Sequence, residues 1–206
     1  MRLFGRSLSL PLLGFVALVA GALALAALAP APGHAAADAP VPLQMTQGSE
    51  LTKEEDRKVR ETLTHYLTAL QKRDWREAAR DLDRTSFLAG VEPMVSSISS
   101  DSTTRPGALR TVFGVSSMDS VRISSTEDLF ASLMGYVSQL DPGGMALMAR
   151  AKFALLGARR LQDRIHIAYQ LTVPAERDSL QPYTRVTAEQ MIRVGKDWKI
   201  VFRMGN

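Results

Sequence analysis

The hydrophobic pattern of this chain changes its period once, and that change limits the possible folds more than any other feature. Up to Leu140 the apolar residues recur at helical spacing, as in the stripe formed by Val59, Leu63 and Leu67. From about Ala149 onward, apolar and polar residues alternate, which is the pattern of half-buried strands. Helices that all precede the strands predict an α+β fold, with the helices covering one face of an antiparallel sheet.

Four alternating segments joined by short connections predict a four-stranded antiparallel meander, with Gly195 to Asp197 as the last turn. We expect this sheet to be curved and cone-like around the helices. The predicted inward positions of the four strands are Ala149, Ala151, Phe153 and Leu155; Ile165, Ile167, Tyr169, Leu171 and Val173; Val186, Ala188, Gln190, Ile192 and Val194; and Trp198, Ile200 and Phe202.

The N-terminus has the features of a secretory signal peptide, which we assign to residues 1–37. Arg2 and Arg6 precede the apolar run Leu8–Leu28, and small residues follow at Ala35–Ala37. The predicted location is therefore periplasmic or secreted. An uncleaved membrane anchor is the alternative, because the run is long enough to span a bilayer. Residues 38–49 are predicted to be a linker, and residues 50–206 form one domain.

Composition excludes several classes of function. The chain contains no cysteine, so thiol catalysis and cysteine-ligated metal sites are ruled out. A formal charge of +4 is too weak to indicate a nucleic-acid partner. The charge is unevenly distributed, since the 38–144 segment carries 12 basic and 16 acidic residues and the 145–206 segment carries 11 and 5.

Three segments of the chain resemble the nuclear transport factor 2-like superfamily. They are the helix His65–Trp75, the short alanine-rich helix after it, and the closing hairpin Gly195–Val201. The resemblance implies a cone in which a curved sheet wraps a long helix and encloses an apolar cavity. Because the superfamily includes isomerases, dehydratases, cyclases and non-catalytic members, the fold alone does not give a function.

The predicted inward faces contain no acidic, basic or histidine residue. The candidate pocket residues are therefore Tyr66, Tyr169 and Gln190, together with the rings of Phe153 and Phe202. Such a pocket can bind a ligand by shape and a few hydrogen bonds, but it lacks groups for proton transfer. The leading hypothesis is an exported non-catalytic domain that binds a small apolar ligand or an envelope partner, with no cofactor.

No metal site is predicted either. His65 falls away from the apolar stripe of its helix and is expected to be solvated. His166 alternates with Ile165 and Ile167, which places it on the outer face of the sheet. Two histidines on different faces, without carboxylates at ligand spacing, do not indicate zinc.

Two other functions remain as alternatives. An isomerase, dehydratase or cyclase would need an acid from the helical stretch Phe87–Leu140 to enter the cone; the candidates are Glu92, Asp101, Asp119, Glu127 and Asp128. A periplasmic lipid carrier, similar to phospholipid-transport binding proteins in the order of its elements, would need a cavity long enough for acyl chains.

Seven basic residues are predicted to share the outer face of the sheet with His166. Glu189 is the only acidic residue predicted on the same face. This face could dock an anionic membrane surface or an acidic protein, or it could be a solvated face that discourages edge pairing. The predicted basic residues are Arg150, Lys152, Arg164, Arg185, Arg193, Lys199 and Arg203.

Overall fold

The structure is a computed structural model that describes residues 48–98, 105–175 and 182–203. The predicted signal peptide and nearly all of the linker lie outside these residues. The α+β prediction is confirmed, because the described residues form seven helices followed by four strands. None of the described helices is long and apolar enough to cross a membrane.

The helices are α1 (Lys53–Lys72), α2 (Trp75–Ala79), α3 (Arg84–Ile98), α4 (Arg105–Phe113), α5 (Met118–Ile123), α6 (Thr126–Leu140) and α7 (Pro142–Arg150). The strands are β1 (Lys152–Leu161), β2 (Arg164–Val173), β3 (Tyr183–Val194) and β4 (Asp197–Ile200).

Helix α1 begins with a capping box. Thr52 accepts a hydrogen bond from the backbone of Glu55, and the Glu55 side chain accepts one from the backbone of Thr52, so two otherwise unpaired amides are satisfied. The helix ends at Arg73, whose φ of 58° is left-handed. Its apolar stripe is buried, including Leu63 and Tyr66. These contacts fix α1 against the sheet.

The sheet is an antiparallel meander with the order β1-β2-β3-β4. The helical half of the chain adds a backbone partner to each of its edge strands. Ser49 forms a bridge with Arg160 on β1, and Leu82 forms a bridge with Ile200 on β4. A Cβ atom at Gly48 would lie 2.6 Å from the Arg160 carbonyl oxygen, so only glycine permits this approach to β1.

One hydrophobic core lies between the inner face of the sheet and the helices. Phe87 on α3 and Phe130 on α6 pack edge to face with Phe202, which follows β4. Trp198 is buried, as predicted, and the Arg160 guanidinium lies 5.9 Å from its ring centre. Phe202, just after β4, thus packs against α3 and α6, and Trp198 of β4 lies next to Arg160 of β1.

Candidate functional site

The prediction of which β3 side chains face the inner side of the sheet is wrong. The turn between β3 and β4 explains the error. Val194 pairs with Asp197 across a two-residue turn, so Arg193 pairs with Trp198. We predicted a three-residue turn, which would have placed Val194 opposite Trp198. Because side chains alternate along a strand, this difference of one residue moves every β3 side chain to the other face.

The corrected register places Glu189 on the inner face of the sheet. Glu189 pairs with Ile167, which is completely buried, and Met191 pairs with the buried Ile165 and Ile200. The prediction that the inner face has no ionisable residue is therefore wrong. The two-residue turn was a usable signal, since directly opposed residues share a face.

Glu189 lies against a tyrosine from the neighbouring strand. The Tyr169 hydroxyl donates a hydrogen bond to Glu189 Oε1 at 3.2 Å. Tyr169 and Tyr66 are 2% and 6% exposed. The Phe153 ring packs edge to face on Tyr169, with 5.9 Å between ring centres. Three of the predicted pocket residues, Tyr66, Tyr169 and Phe153, thus lie on the inner side of the sheet with Glu189.

The surroundings of Glu189 change its acidity. Although part of the residue reaches solvent, burial of the carboxyl group raises its pKa to about 7, and the Tyr169 hydrogen bond and the charge of Arg203 only partly oppose this. Burial, followed by the charge of Glu189, raises the pKa of Tyr169 and of Tyr66. The site therefore combines two neutral phenols with a carboxyl group that can gain or lose a proton near neutral pH.

The other two predicted pocket residues lie elsewhere. Gln190 pairs with His166 on the outer face, contrary to prediction, because it neighbours Glu189 and alternates with it. Phe202 is a partly buried core residue of the aromatic cluster with Phe87 and Phe130, beyond the end of β4.

The predicted basic outer face is smaller than expected. Lys152, Arg164 and Lys199 lie on that face, because they pair with Thr172, Leu161 and Ile192. Arg203 reaches the same face through its bond to Gln190.

Three of the predicted basic residues are not on the outer face. Arg185 and Arg193 are on the inner side, because they pair with Leu171 and Trp198. Arg150 is the last residue of α7, not part of a strand. Asp141 follows α6 and also caps α7, and Pro142 occupies the first position of α7. This helix replaces the predicted start of β1.

His65 is exposed, as predicted, but it is not isolated. Its Nδ1 lies 2.5 Å from Asp81 Oδ2, and its Nε2 lies 3.1 Å from Glu77 Oε1. The hydrogen bond with Asp81 is the main cause that raises the pKa of His65, while burial raises the pKa of Asp81. The ring therefore links α1 to α2 and the segment after it.

Of the acids proposed for an enzyme, the four that the structure describes do not enter the inner face. Asp119 and Asp128 are exposed and pair with Arg122 and Arg76. Glu92 is also exposed, and Asp101 is outside the described residues. Glu127, in the first turn of α6, is partly exposed. The inner carboxyl group comes instead from the sheet itself.

A groove of about 560 Å³ lies between the start of α1 and the edge of β1, away from Glu189. It contains none of the predicted pocket residues, and its lining is Glu50, Leu51, Lys53, Asp56, Arg60, Leu156, Gly157, Ala158, Arg159 and Ala168. Within the described ranges, no cluster of three or more histidine, aspartate or glutamate residues is arranged to bind a metal ion.

No known protein family model matches the chain, and no curated protein or solved structure is significantly similar to it.

Proposed function

We propose that this chain is an exported domain that binds a small, largely apolar molecule on the inner face of its sheet. The observation that carries the proposal is the Tyr169–Glu189 hydrogen bond among aromatic and aliphatic side chains. An apolar surface with a few converging polar groups is the usual form of a small-molecule site. The ligand would present one polar group to this pair and its apolar part to the surrounding rings.

In this proposal the ligand enters at the end of the sheet where β3 begins. Tyr183 is 50% exposed and Arg185 is also exposed, while Phe153 and Leu155 are only partly buried. Thr187, which pairs with Tyr169, lies between this end and Glu189. A ligand that enters here meets Phe153 and Tyr169 before it reaches the carboxyl group.

An acid–base enzyme, such as an isomerase or dehydratase, is the second candidate function. It is favoured by the pKa of about 7 at Glu189, because a general acid or base works best when its pKa is near the operating pH. The nuclear transport factor 2-like superfamily, which the chain resembles in the order of its elements, contains both enzymes and binding proteins.

The test is native mass spectrometry of the protein recovered from cells that produce it. We expect a retained small molecule, and Glu189→Gln and Tyr169→Phe should reduce its occupancy about tenfold or more, as loss of a hydrogen bond to a charged group does. Tyr136→Phe, on α6 and away from the sheet, is the matched control. Equal occupancy in all variants would refute the proposal.

The same experiment separates the candidate functions. A ligand of lipid mass with acyl chains would favour the lipid carrier. Conversion of the released ligand by wild type but not by Glu189→Gln would favour the enzyme. An unchanged ligand after prolonged incubation supports simple binding.

A further inference from the structure

The outer face of the sheet holds a second cluster of polar side chains, independent of the inner site. His166 and Gln190 are paired across β2 and β3. Arg164 precedes His166 by two residues and so points to the same face. The Val201 amide donates a hydrogen bond to the Gln190 carbonyl oxygen at 2.8 Å, which brings the segment with Arg203 alongside.

Two guanidinium groups meet at one amide oxygen in this cluster. Arg164 Nη1 donates to Gln190 Oε1 at 2.9 Å, and Arg203 Nη2 donates to the same atom. No carboxylate of the described residues lies within 4.0 Å of either guanidinium group. Two positive charges therefore lie together with no carboxylate of the described residues in contact with them, and their repulsion is unfavourable.

His166 lies beside these charges and is almost fully buried. Only 4% of the residue is exposed, yet neither ring nitrogen has a hydrogen-bond partner in the described part of the chain. Buried polar side chains nearly always have such a partner. Burial, followed by the charges of Arg203 and Arg164, lowers the pKa of His166, which favours the neutral ring, and a neutral ring carries one N–H group that can donate.

We propose that Arg164, Arg203 and His166 form a binding site for a phosphate group on the outer face of the sheet. A phosphate offers several acceptor oxygens, and the planar fork of a guanidinium group matches two of them at once. The negative charge would offset the repulsion between the two arginines, and an oxygen would accept from the His166 ring. Arg203 is exposed and Arg164 is partly exposed, so a ligand would approach the cluster from the side of the two guanidinium groups.

The test follows the His166 ring signals by NMR during titration at pH 7.5, with ionic strength held constant by sodium chloride. The probes are inorganic phosphate, the diester glycerophosphoglycerol, and glycerol as the uncharged control. We expect a saturable shift of the His166 signals with phosphate and none with glycerol. Arg164→Gln and Arg203→Gln should each weaken binding about tenfold or more.

Arg193→Gln is the matched control, because Arg193 is an exposed arginine of β3 that lies on the inner side of the sheet. Arg193→Gln removes one positive charge, as the two test variants do, and should leave the affinity for phosphate unchanged. Binding of phosphate alone would identify a free phosphate or monoester as the ligand; binding of the diester as well would identify a lipid headgroup. An unshifted His166, or an equal loss in Arg193→Gln, would overturn the proposal.

Discussion

Replacing Glu189 by glutamine should make the protein more stable at high pH. The pKa of Glu189 is raised from an ordinary value of about 4.3–4.5 to about 7, which corresponds to about 3 kcal/mol. Below pH 4 both the folded and the unfolded chain hold this proton, so the group has no effect on stability. Between pH 4.3 and 7 only the folded chain keeps it, and the free energy of unfolding falls as pH rises.

Glu189→Gln removes this ionisation and retains an oxygen that can accept the Tyr169 hydrogen bond. The variant should therefore match wild type near pH 4.5 and exceed it by about 3 kcal/mol at pH 8. The measurement is urea unfolding at several pH values, followed by tryptophan fluorescence. Comparison of the two proteins at each pH cancels the other groups that titrate in this range.

Glu92→Gln is the control, because Glu92 is an exposed glutamate on α3. It should track wild type within about 0.5 kcal/mol at every pH. A difference between Glu189→Gln and wild type that does not change from pH 4.5 to 8 would show that the carboxyl group is not desolvated, and the argument for the inner site would fail with it.

Three further outcomes are expected. Trp198→Ala should cost about 3–5 kcal/mol in urea unfolding, because it empties a large buried site; a cost below 1 kcal/mol would contradict its place in the core. His65→Ala should cost about 0.5–1 kcal/mol at pH 5.5 and less at pH 8.5, since a raised histidine pKa stabilises the fold only while the ring is protonated, and solvent screens its bond to Asp81. N-terminal sequencing of the exported protein should find a start between Ala35 and Pro40, and a chain that retains its first residue would refute cleavage.

The division of the chain into helices followed by strands could be predicted from the sequence because the signals were local. The capping pair Thr52 and Glu55 marks the start of α1, and the alternation of Ile165, Ile167 and Tyr169 identifies β2 and its buried face. Helix α7 was missed because Asp-Pro-Gly-Gly resembles a turn, although Asp141 also caps a new helix there.

The candidate site was harder to predict because both sets of alternating residues in β3 contain apolar side chains. Val186, Ala188 and Ile192 alternate as a buried face should, yet they lie on the outer side. The inner phase includes Glu189, which hydrophobic patterning assigns to solvent. Only the length of the turn between β3 and β4 distinguishes the two phases, and that length depends on backbone pairing.

The partners at the two sheet edges also have a kinetic consequence. Ser49 pairs with Arg160, and Leu82 pairs with Ile200, so each contact joins residues more than a hundred positions apart. Ile200 also exchanges backbone hydrogen bonds with Asp81 and Asp83. Contacts so distant in sequence close late and slow the folding of a domain. Synthesis must reach β4 before this strand can join the helical half, so a nascent chain lacks its complete sheet until β4 has been made.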